Sequence, residues 1–272
     1  MFYKSQKVKL LAKLFYWYAF LFAKVKFTRI NMLLINLGLR GLGIYNYQNF
    51  NISGEFSFLK NYLNRIENPV VFDIGANKGE YTKLCKNINK NVKIFCFEPH
   101  PKTFISLQEN IDNNQITFIN KALSDKNGKL LLYDYKEKDG SNHASLYADV
   151  IEKVHGKESI CHEVDVTTLD NIVNEFNIKK IDLLKIDVEG NELSVLKGSK
   201  ESLRNDIIEA VQFEFTQINS TSRIFMKDFF DILKEKYTIN RLLPNELLPL
   251  NEYNPTMHEI CGYQNIVALR KK

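Results

Sequence analysis

The sequence predicts a doubly wound α/β fold with a mainly parallel sheet, preceded by an N-terminal helical arm. Two observations predict it. From residue 70 onward, short apolar runs alternate with stretches of helical length, which is typical of βαβ units. The first 54 residues contain basic residues but no acidic one. We therefore expect a basic, aromatic arm over residues 1–50 and one globular domain over residues 51–272.

Length and charge limit the classes of protein that this chain can belong to. With 272 residues, of which 44% are hydrophobic, the chain can bury a full core. The arm holds eight of the 37 basic residues and none of the 32 acidic ones. The domain is therefore slightly acidic, and its charge gives no sign of a nucleic-acid groove. The basic residues of the arm are Lys4, Lys7, Lys9, Lys13, Lys24, Lys26, Arg29 and Arg40.

The four cysteines lie far apart and form no CxxC pair. This spacing matches neither a metal knuckle nor a disulfide framework, so it predicts a reducing compartment, the cytoplasm.

The arm contains the apolar run LLAKLFYWYAFLFAKV at residues 10–25. Its uncharged part, residues 14–23, is too short to cross a bilayer unaided. No cleavage site of small residues follows, which argues against a signal peptide. Two interpretations stay open. The arm packs on the domain or in a homodimer, or it lies on a membrane surface, which makes the protein peripheral to the inner face of the membrane.

The domain begins with a polar bridge and a short helix at residues 58–66, which ends before a proline. Residues 136–160 show no clear periodicity and form a candidate mobile loop. The other elements follow from the alternation of apolar runs and amphipathic stretches. The predicted strands are residues 70–72, 92–97, 116–119, 129–135, 181–188, 208–215, 237–242 and 264–269. The predicted helices are residues 79–87, 101–111, 168–176, 192–203 and 224–236.

The turn after the first strand reads DIGANKGEYT, residues 73–82. Ligands of open parallel sheets bind beyond the carboxyl ends of the strands. Gly75 and Gly79 allow the backbone to approach a ligand and to turn tightly into a helix. A dinucleotide site would carry GxGxxG here, whereas this chain has Asp73 at the strand end and Asn77 in place of a second glycine. An acid at this point repels phosphate and suits the ammonium group of a ligand.

The second strand ends in Glu98, 25 residues after Asp73. A carboxylate at this place can accept two hydrogen bonds from a ribose diol. Each acid alone is a weak signal, but the two together, in this order and at this spacing, are a strong one.

Charged residues also alternate on the fourth main strand. Lys185, Asp187 and Glu189 occupy every second position and would point to one side of the sheet. Charges on a buried strand are costly unless they are paired or used by a ligand, so both an internal ion pair and a ligand site stay open. Glu214, between Phe213 and Phe215, repeats the pattern more weakly.

Four motifs of the chain resemble those of the FkbM family of methyltransferases. They are DIGANKGEYT, FEPHP at residues 97–101, ALSDKNG at residues 122–128 and LLKIDVEGNELSVLKG at residues 183–198. The resemblance covers about residues 52–270. It implies a class I methyltransferase (Rossmann-like) fold, S-adenosyl-L-methionine as cofactor, and O-methylation of a small acceptor. In this family the acceptor is often a sugar hydroxyl on a glycan, a glycolipid or a secondary metabolite. For this chain we expect a sugar of a glycan, a nucleotide sugar or a related metabolite.

The resemblance also implies roles for individual residues. Glu98 would bind the ribose of the cofactor, and Asp187 would lie near the sulfonium and the acceptor. Ser124 and Asp125 would lie near the adenine. The residues expected around the methionine part are Asp73, Gly75, Asn77, Gly79 and Tyr81.

A sugar hydroxyl is a poor nucleophile, so a base should take its proton. Asp187 is the first candidate, followed by Glu189 and Glu214, with His143 and His258 as alternatives on the substrate side. Asp187 and Glu214 could also hold Mg²⁺, since carboxylates suit that ion, but nothing in the sequence demands a metal.

Three other functions stay open. An NAD-type Rossmann oxidoreductase shares the fold, but Asp73 and Asn77 disfavour it. A non-catalytic S-adenosylmethionine-binding module would keep the fold without turnover. A nucleic-acid methyltransferase is disfavoured by the slightly acidic domain and by the missing Asn/Asp-Pro-Pro-aromatic motif.

Overall fold

A computed structural model describes residues 2–112, 114–141 and 143–272, with side chains from residue 9 onward. The chain divides into two compact units, residues 1–44 and residues 45–272. The predicted boundary after residue 50 falls slightly later than this division, inside the second unit.

The first unit consists of helix α1 (Phe2–Phe22), a 3₁₀ turn (Val25–Phe27) and helix α2 (Thr28–Gly41). Asn31 links the two helices, because its Oδ1 accepts a hydrogen bond from the Tyr18 hydroxyl at 2.7 Å and its Nδ2 donates to the Phe22 carbonyl at 3.0 Å. Across the described part of the chain, every helix falls short of the length and apolar character that a membrane crossing needs.

The second unit contains two sheets and nine α-helices among the described residues. The strands are β1 (Val70–Ile74), β2 (Lys93–Phe97), β3 (Ile116–Ile119), β4 (Ala122–Leu123), β5 (Gly128–Tyr135), β6 (Ser159–Thr167), β7 (Leu183–Ile186), β8 (Ala210–Phe215), β9 (Tyr237–Leu242), β10 (Leu247–Pro249) and β11 (Gln264–Arg270). The helices are α3 (Glu55–Leu63), α4 (Glu80–Ile88), α5 (Pro101–Asn110), α6 (Leu169–Glu175), α7 (Glu192–Lys197), α8 (Lys200–Arg204), α9 (Ile218–Ser222), α10 (Met226–Leu233) and α11 (Pro255–His258).

The main sheet has eight strands in the order β10-β9-β11-β8-β7-β1-β2-β3. Strands β8, β7, β1, β2 and β3 are parallel, whereas β9, β10 and β11 join by antiparallel pairing. Successive side chains of β1 point to opposite faces of the sheet. Val71 packs into the apolar cluster on one face, and Phe72 packs into the cluster on the other. The predicted doubly wound, mainly parallel α/β fold is confirmed. It places the carboxyl ends of β1, β2, β7 and β8 at one edge.

Two predicted elements are shorter than expected. The helix predicted at residues 192–203 is broken into α7 and α8 at Gly198, where a Cβ atom would stand 2.0 Å from the Ser124 carbonyl oxygen. The strand predicted at residues 181–188 ends at Ile186. Beyond it the chain turns, with Glu189 at φ 50°.

The predicted loop at residues 136–160 also contains regular structure. It includes a π-helical turn (Val150–Val154), and its last residues begin β6. Strand β6 lies between β4 and β5 in a small second sheet, and it pairs with β5 along its length. Strand β6 was not predicted because only its C-terminal part, where Val164 and Val166 alternate with Glu163 and Asp165, shows the strand pattern.

Candidate active site

A cavity of about 340 Å³ opens at the carboxyl edge of the parallel strands, a volume within the range of about 300–1,000 Å³ that small-molecule sites occupy. Its wall comes from the turns after β1, β2 and β7, from β8, and from a segment near residue 143. The predicted residues in this wall are Asp73, Gly75, Asn77, Tyr81, Glu98, His143, Asp187, Glu189 and Glu214. The fold thus brings together side chains that lie up to 141 positions apart in the sequence.

Asp73 lies at the end of β1 and is buried. Its Oδ2 accepts a hydrogen bond from the hydroxyl of Thr82 in the first turn of α4, at 2.7 Å. Burial raises the pKa of Asp73 to about 6. A cation bound beside this carboxyl group would favour its ionised form and lower its pKa.

The turn after β1 requires glycine at residue 75. Gly75 has φ 80°, and a Cβ atom there would stand 1.8 Å from the Asp187 carbonyl oxygen. The turns after β1 and β7 therefore touch through their backbones. Asn77 joins a third segment, because its Nδ2 donates to the Ser141 carbonyl at 3.2 Å.

Glu98 connects the turns after β1 and β2. Its Oε2 accepts a hydrogen bond from the Asn77 backbone N–H at 2.9 Å, and its Oε1 accepts one from the His100 N–H at 2.8 Å. Burial raises the pKa of Glu98 to about 7 despite these two bonds. The remaining lone pairs of the carboxyl group can accept further hydrogen bonds.

The charged residues after β7 form both an ion pair and part of the cavity wall. The ammonium group of Lys185 lies 3.0 Å from Asp187 Oδ2. Burial alone would lower the pKa of Lys185, but the carboxylates of Asp187, Glu214 and Glu55 raise it. Burial, and then the charge of Asp187, raise the pKa of Glu214 well above its usual value. The interpretations as an ion pair and as a ligand-facing cluster are therefore compatible.

Glu55, which was not among the predicted site residues, also lies in the cavity wall. Its Oε2 accepts a hydrogen bond from Ser53 at 2.7 Å, and its Oε1 accepts one from Gln212 at 2.9 Å. Gln212 in turn accepts a hydrogen bond from the Tyr81 hydroxyl at 2.7 Å. Helical spacing could have revealed Glu55, since it stands four residues before the buried Leu59.

His143 and Glu189 form a pair at the cavity. Nδ1 of His143 lies 3.2 Å from Glu189 Oε1, and this hydrogen bond raises the pKa of His143. The Ser145 hydroxyl donates to the Glu189 carbonyl at 2.7 Å, which fixes the backbone that carries Glu189. The His155 ring lies 4.8 Å from the His143 ring. The pair has the arrangement of a base with a carboxylate that orients it.

Three residues outside the predicted set hold the wall segment near residue 141. His100 Nε2 and His162 Nε2 lie 2.9 and 2.8 Å from the same oxygen of Asp139. Burial would raise the pKa of Asp139, but hydrogen bonds from Lys102, His162 and His100 hold it well below its usual range.

These three ligand atoms could also surround a metal ion. However, the Thr103 N–H donates to His100 Nδ1 at 3.4 Å, which leaves the ring proton on Nε2, where a metal would have to bind. The cluster therefore acts as a hydrogen-bonded clamp.

Four predicted site residues are not among the described side chains that line the cavity. Gly79, at φ 86°, faces the side chain of Ile111. Ser124 is buried, and its hydroxyl donates to Asp125 at 3.3 Å. His258 stacks on Phe230 at 5.4 Å. Their roles at the cofactor and the substrate stay predictions.

Comparison with known proteins gives a match to the family model described as the methyltransferase FkbM domain, over residues 73–238. The 2-O-methyltransferase NoeI of Sinorhizobium fredii is 32% identical over 149 residues, which are 50% of this chain and 59% of that protein. The hexuronic acid methyltransferase AglP of Haloferax volcanii is 29% identical over 171 residues, covering 62% of this chain and 63% of that protein. The chain thus spans about three fifths of the length of these relatives.

A crystal structure of methyltransferase FkbM from Methylobacillus flagellatus aligns over 88% of this chain and 60% of its own, with 14% identity and a TM-score of 0.45.

The family match extends over more than half of the chain. It begins at Asp73 and includes Glu98, His143, Asp187 and Glu214, so the matched segment supplies most of the cavity wall. The predicted family is confirmed: the chain belongs to the FkbM family of methyltransferases.

Proposed function

We propose that this chain is an S-adenosylmethionine-dependent O-methyltransferase that acts on a hydroxyl of a small acceptor, namely a sugar of a glycan, a nucleotide sugar or a related metabolite. The charge of the cavity carries the proposal. The cavity wall contains more acids than lysines. The lysines in it are Lys78, Lys121 and Lys185. The carboxyl groups in the wall are Glu55, Asp73, Glu80, Glu98, Asp187, Glu189 and Glu214. Such a wall attracts a cation and repels the phosphates of a dinucleotide.

The donors and acceptors of the wall fit S-adenosylmethionine, which carries an ammonium group, a sulfonium centre and a ribose diol. Asp73 would hold the ammonium group and Glu98 the diol, while Asp187 would supply negative charge near the sulfur. When bound, this cofactor supplies a methyl group activated by the positive charge on sulfur. The protein then has to hold the acceptor oxygen in line with that methyl group, which can contribute about 7–11 kcal/mol in favourable cases.

His143 takes the proton of the acceptor hydroxyl in this proposal, and Glu189 orients the ring. Two observations support His143 over Asp187. Asp187 already pairs with the buried Lys185, so protonating it would leave that lysine without its nearest counter-charge. His143 turns Nδ1 toward Glu189, so that carboxylate can stabilise the imidazolium that forms while Nε2 receives the proton.

The names of the relatives support a sugar acceptor. One is called a 2-O-methyltransferase and another a hexuronic acid methyltransferase. We propose the same class of acceptor for this chain. The positive charge of a bound cofactor would not repel a neutral sugar and would attract an anionic one.

A transfer assay tests the proposed function. The full-length protein is incubated with S-adenosylmethionine labelled in its methyl group and with a hexose, a hexuronic acid, a nucleotide sugar or an amino sugar. We expect a mass increase of one CH₂ on a sugar hydroxyl, and the product should survive alkali because it is an ether. Label found only in an alkali-labile ester, or only on the amino group, would contradict O-methylation of a hydroxyl.

A further inference from the structure

The first unit of the chain exposes an unusual amount of apolar surface. On α1 the large side chains between residues 14 and 22 are exposed, and on α2 those between residues 30 and 37 are exposed. Helix α2 contains no buried residue. Contiguous apolar surface of this kind marks a site of contact with a partner or a membrane.

The charge pattern identifies the partner. We propose that helices α1 and α2 (residues 2–41) lie flat on an anionic lipid bilayer, with their apolar side chains in the acyl boundary and their cations at the phosphates. The first 54 residues carry eight basic residues and no acidic one. An anionic surface would neutralise this charge, whereas contact between the arms of two copies would bring like charges together.

The positions of the cations favour helices that lie in the membrane plane. Lys13 and Lys24 flank the uncharged residues 14–23, and Arg29 and Arg40 flank the uncharged residues 30–39. Each stretch spans about 15 Å as a helix, half of the hydrocarbon core of about 30 Å. Vertical insertion would push the cations at one end of each stretch into the hydrocarbon. In-plane binding lets Lys13, Lys24 and Arg29 reach the phosphates.

The aromatic residues of α1 also suit a position at the boundary between headgroups and acyl chains. Tyr16, Trp17 and Phe20 pack on one another with ring centroids 5.6–6.4 Å apart, and all three are exposed. Tyrosine and tryptophan concentrate at the boundary between headgroups and acyl chains, where their rings are buried and their polar groups stay near water.

Trp17 is the only tryptophan of the chain, so its fluorescence reports on the arm in the unmodified protein. The protein is titrated with vesicles of phosphatidylglycerol and phosphatidylcholine and, separately, with phosphatidylcholine alone. We expect a blue shift with the anionic vesicles and binding at least about tenfold weaker to the neutral ones or at high salt. Lipids brominated near the headgroup should quench Trp17 more than lipids brominated near the chain end.

Matched variants in the arm and in the second unit show whether vesicle binding depends on the arm. Leu33 on α2 and Ile105 on α5 are each 56% exposed, so L33S should weaken binding and I105S should not. K13Q with K24Q should weaken binding to anionic vesicles about tenfold or more, whereas K129Q with K136Q, which removes the same charge from the second unit, should not. Circular dichroism confirms that each variant is folded.

Two results would overturn the proposal. One is unchanged Trp17 emission with anionic vesicles. The other is a dimer in solution that L33S dissociates while vesicle binding is absent, which would make a second copy of the chain the partner of the arm.

Discussion

Replacing His143 by glutamine is expected to lower kcat by about 10²–10⁴-fold, the usual contribution of a general base, while binding of S-adenosylmethionine changes little. The side chain of His143 is 47% exposed, so the substitution should leave the fold intact. H155Q is the matched control, since His155 lies beside His143 but outside the cavity wall. We expect H155Q to keep most of its activity.

The pH profile separates a base from a structural histidine. The hydrogen bond that His143 donates to Glu189 raises the pKa of His143 above the usual value of 6.5, and the base must be neutral to accept a proton. The kcat of the wild type should therefore rise as pH increases through the raised pKa. E189Q should move this rise to lower pH, and H143Q should abolish it. An H143Q enzyme with near-wild-type kcat and an unchanged profile would exclude His143 as the base.

Replacing Gly75 by alanine is expected to destabilise the protein by about 4 kcal/mol or more, which is among the largest effects of a single substitution. The new Cβ would stand 1.8 Å from the Asp187 carbonyl oxygen at a φ of 80°, so the turns after β1 and β7 would have to separate. Their separation would strain the hydrogen bond of 2.9 Å from the Asp187 N–H to the Ile74 carbonyl. Urea unfolding measures the loss.

G156A is the control for backbone strain alone. Gly156 also has a positive φ, 63°, but nothing lies within 4 Å of its Cβ position. The left-handed conformation alone should cost about 1–2 kcal/mol in alanine. If G75A were no less stable than G156A, the close contact between the two turns would not hold in solution.

The sequence predicted the parallel sheet because its strands are apolar and its turns are marked by glycine, proline or acids. Strand β3 and strand β9 have the predicted bounds. The break of the helix at Gly198 depends on Ser124, more than 70 residues earlier. Local periodicity cannot show a backbone contact of that kind, so the two short helices were predicted as one.

In the candidate site, too, residues at strand ends could be predicted from the sequence, whereas contacts between loops could not. Asp73, Glu98 and Asp187 could be predicted because each stands at a strand end. The pairing of His143 with Glu189, by contrast, depends on how the segment after β5 returns to the sheet. The clamp of Asp139 with His100 and His162 depends on β6, which sequence patterning missed. Contacts that cross between loops carry no periodic signal.

Calorimetry with S-adenosylmethionine tests the central claim, that the acidic cavity binds this cationic cofactor. Burial raises the pKa of Asp73 to about 6 and that of Glu98 to about 7. A bound cation favours the ionised carboxylates and lowers both values, so binding should release protons, and affinity should increase as pH rises through this range. Titrations in buffers of different ionisation enthalpy measure the release. We predict one cofactor bound per chain with proton release and no binding of NADH. Folded protein that binds NADH, or that binds neither compound, would contradict the account.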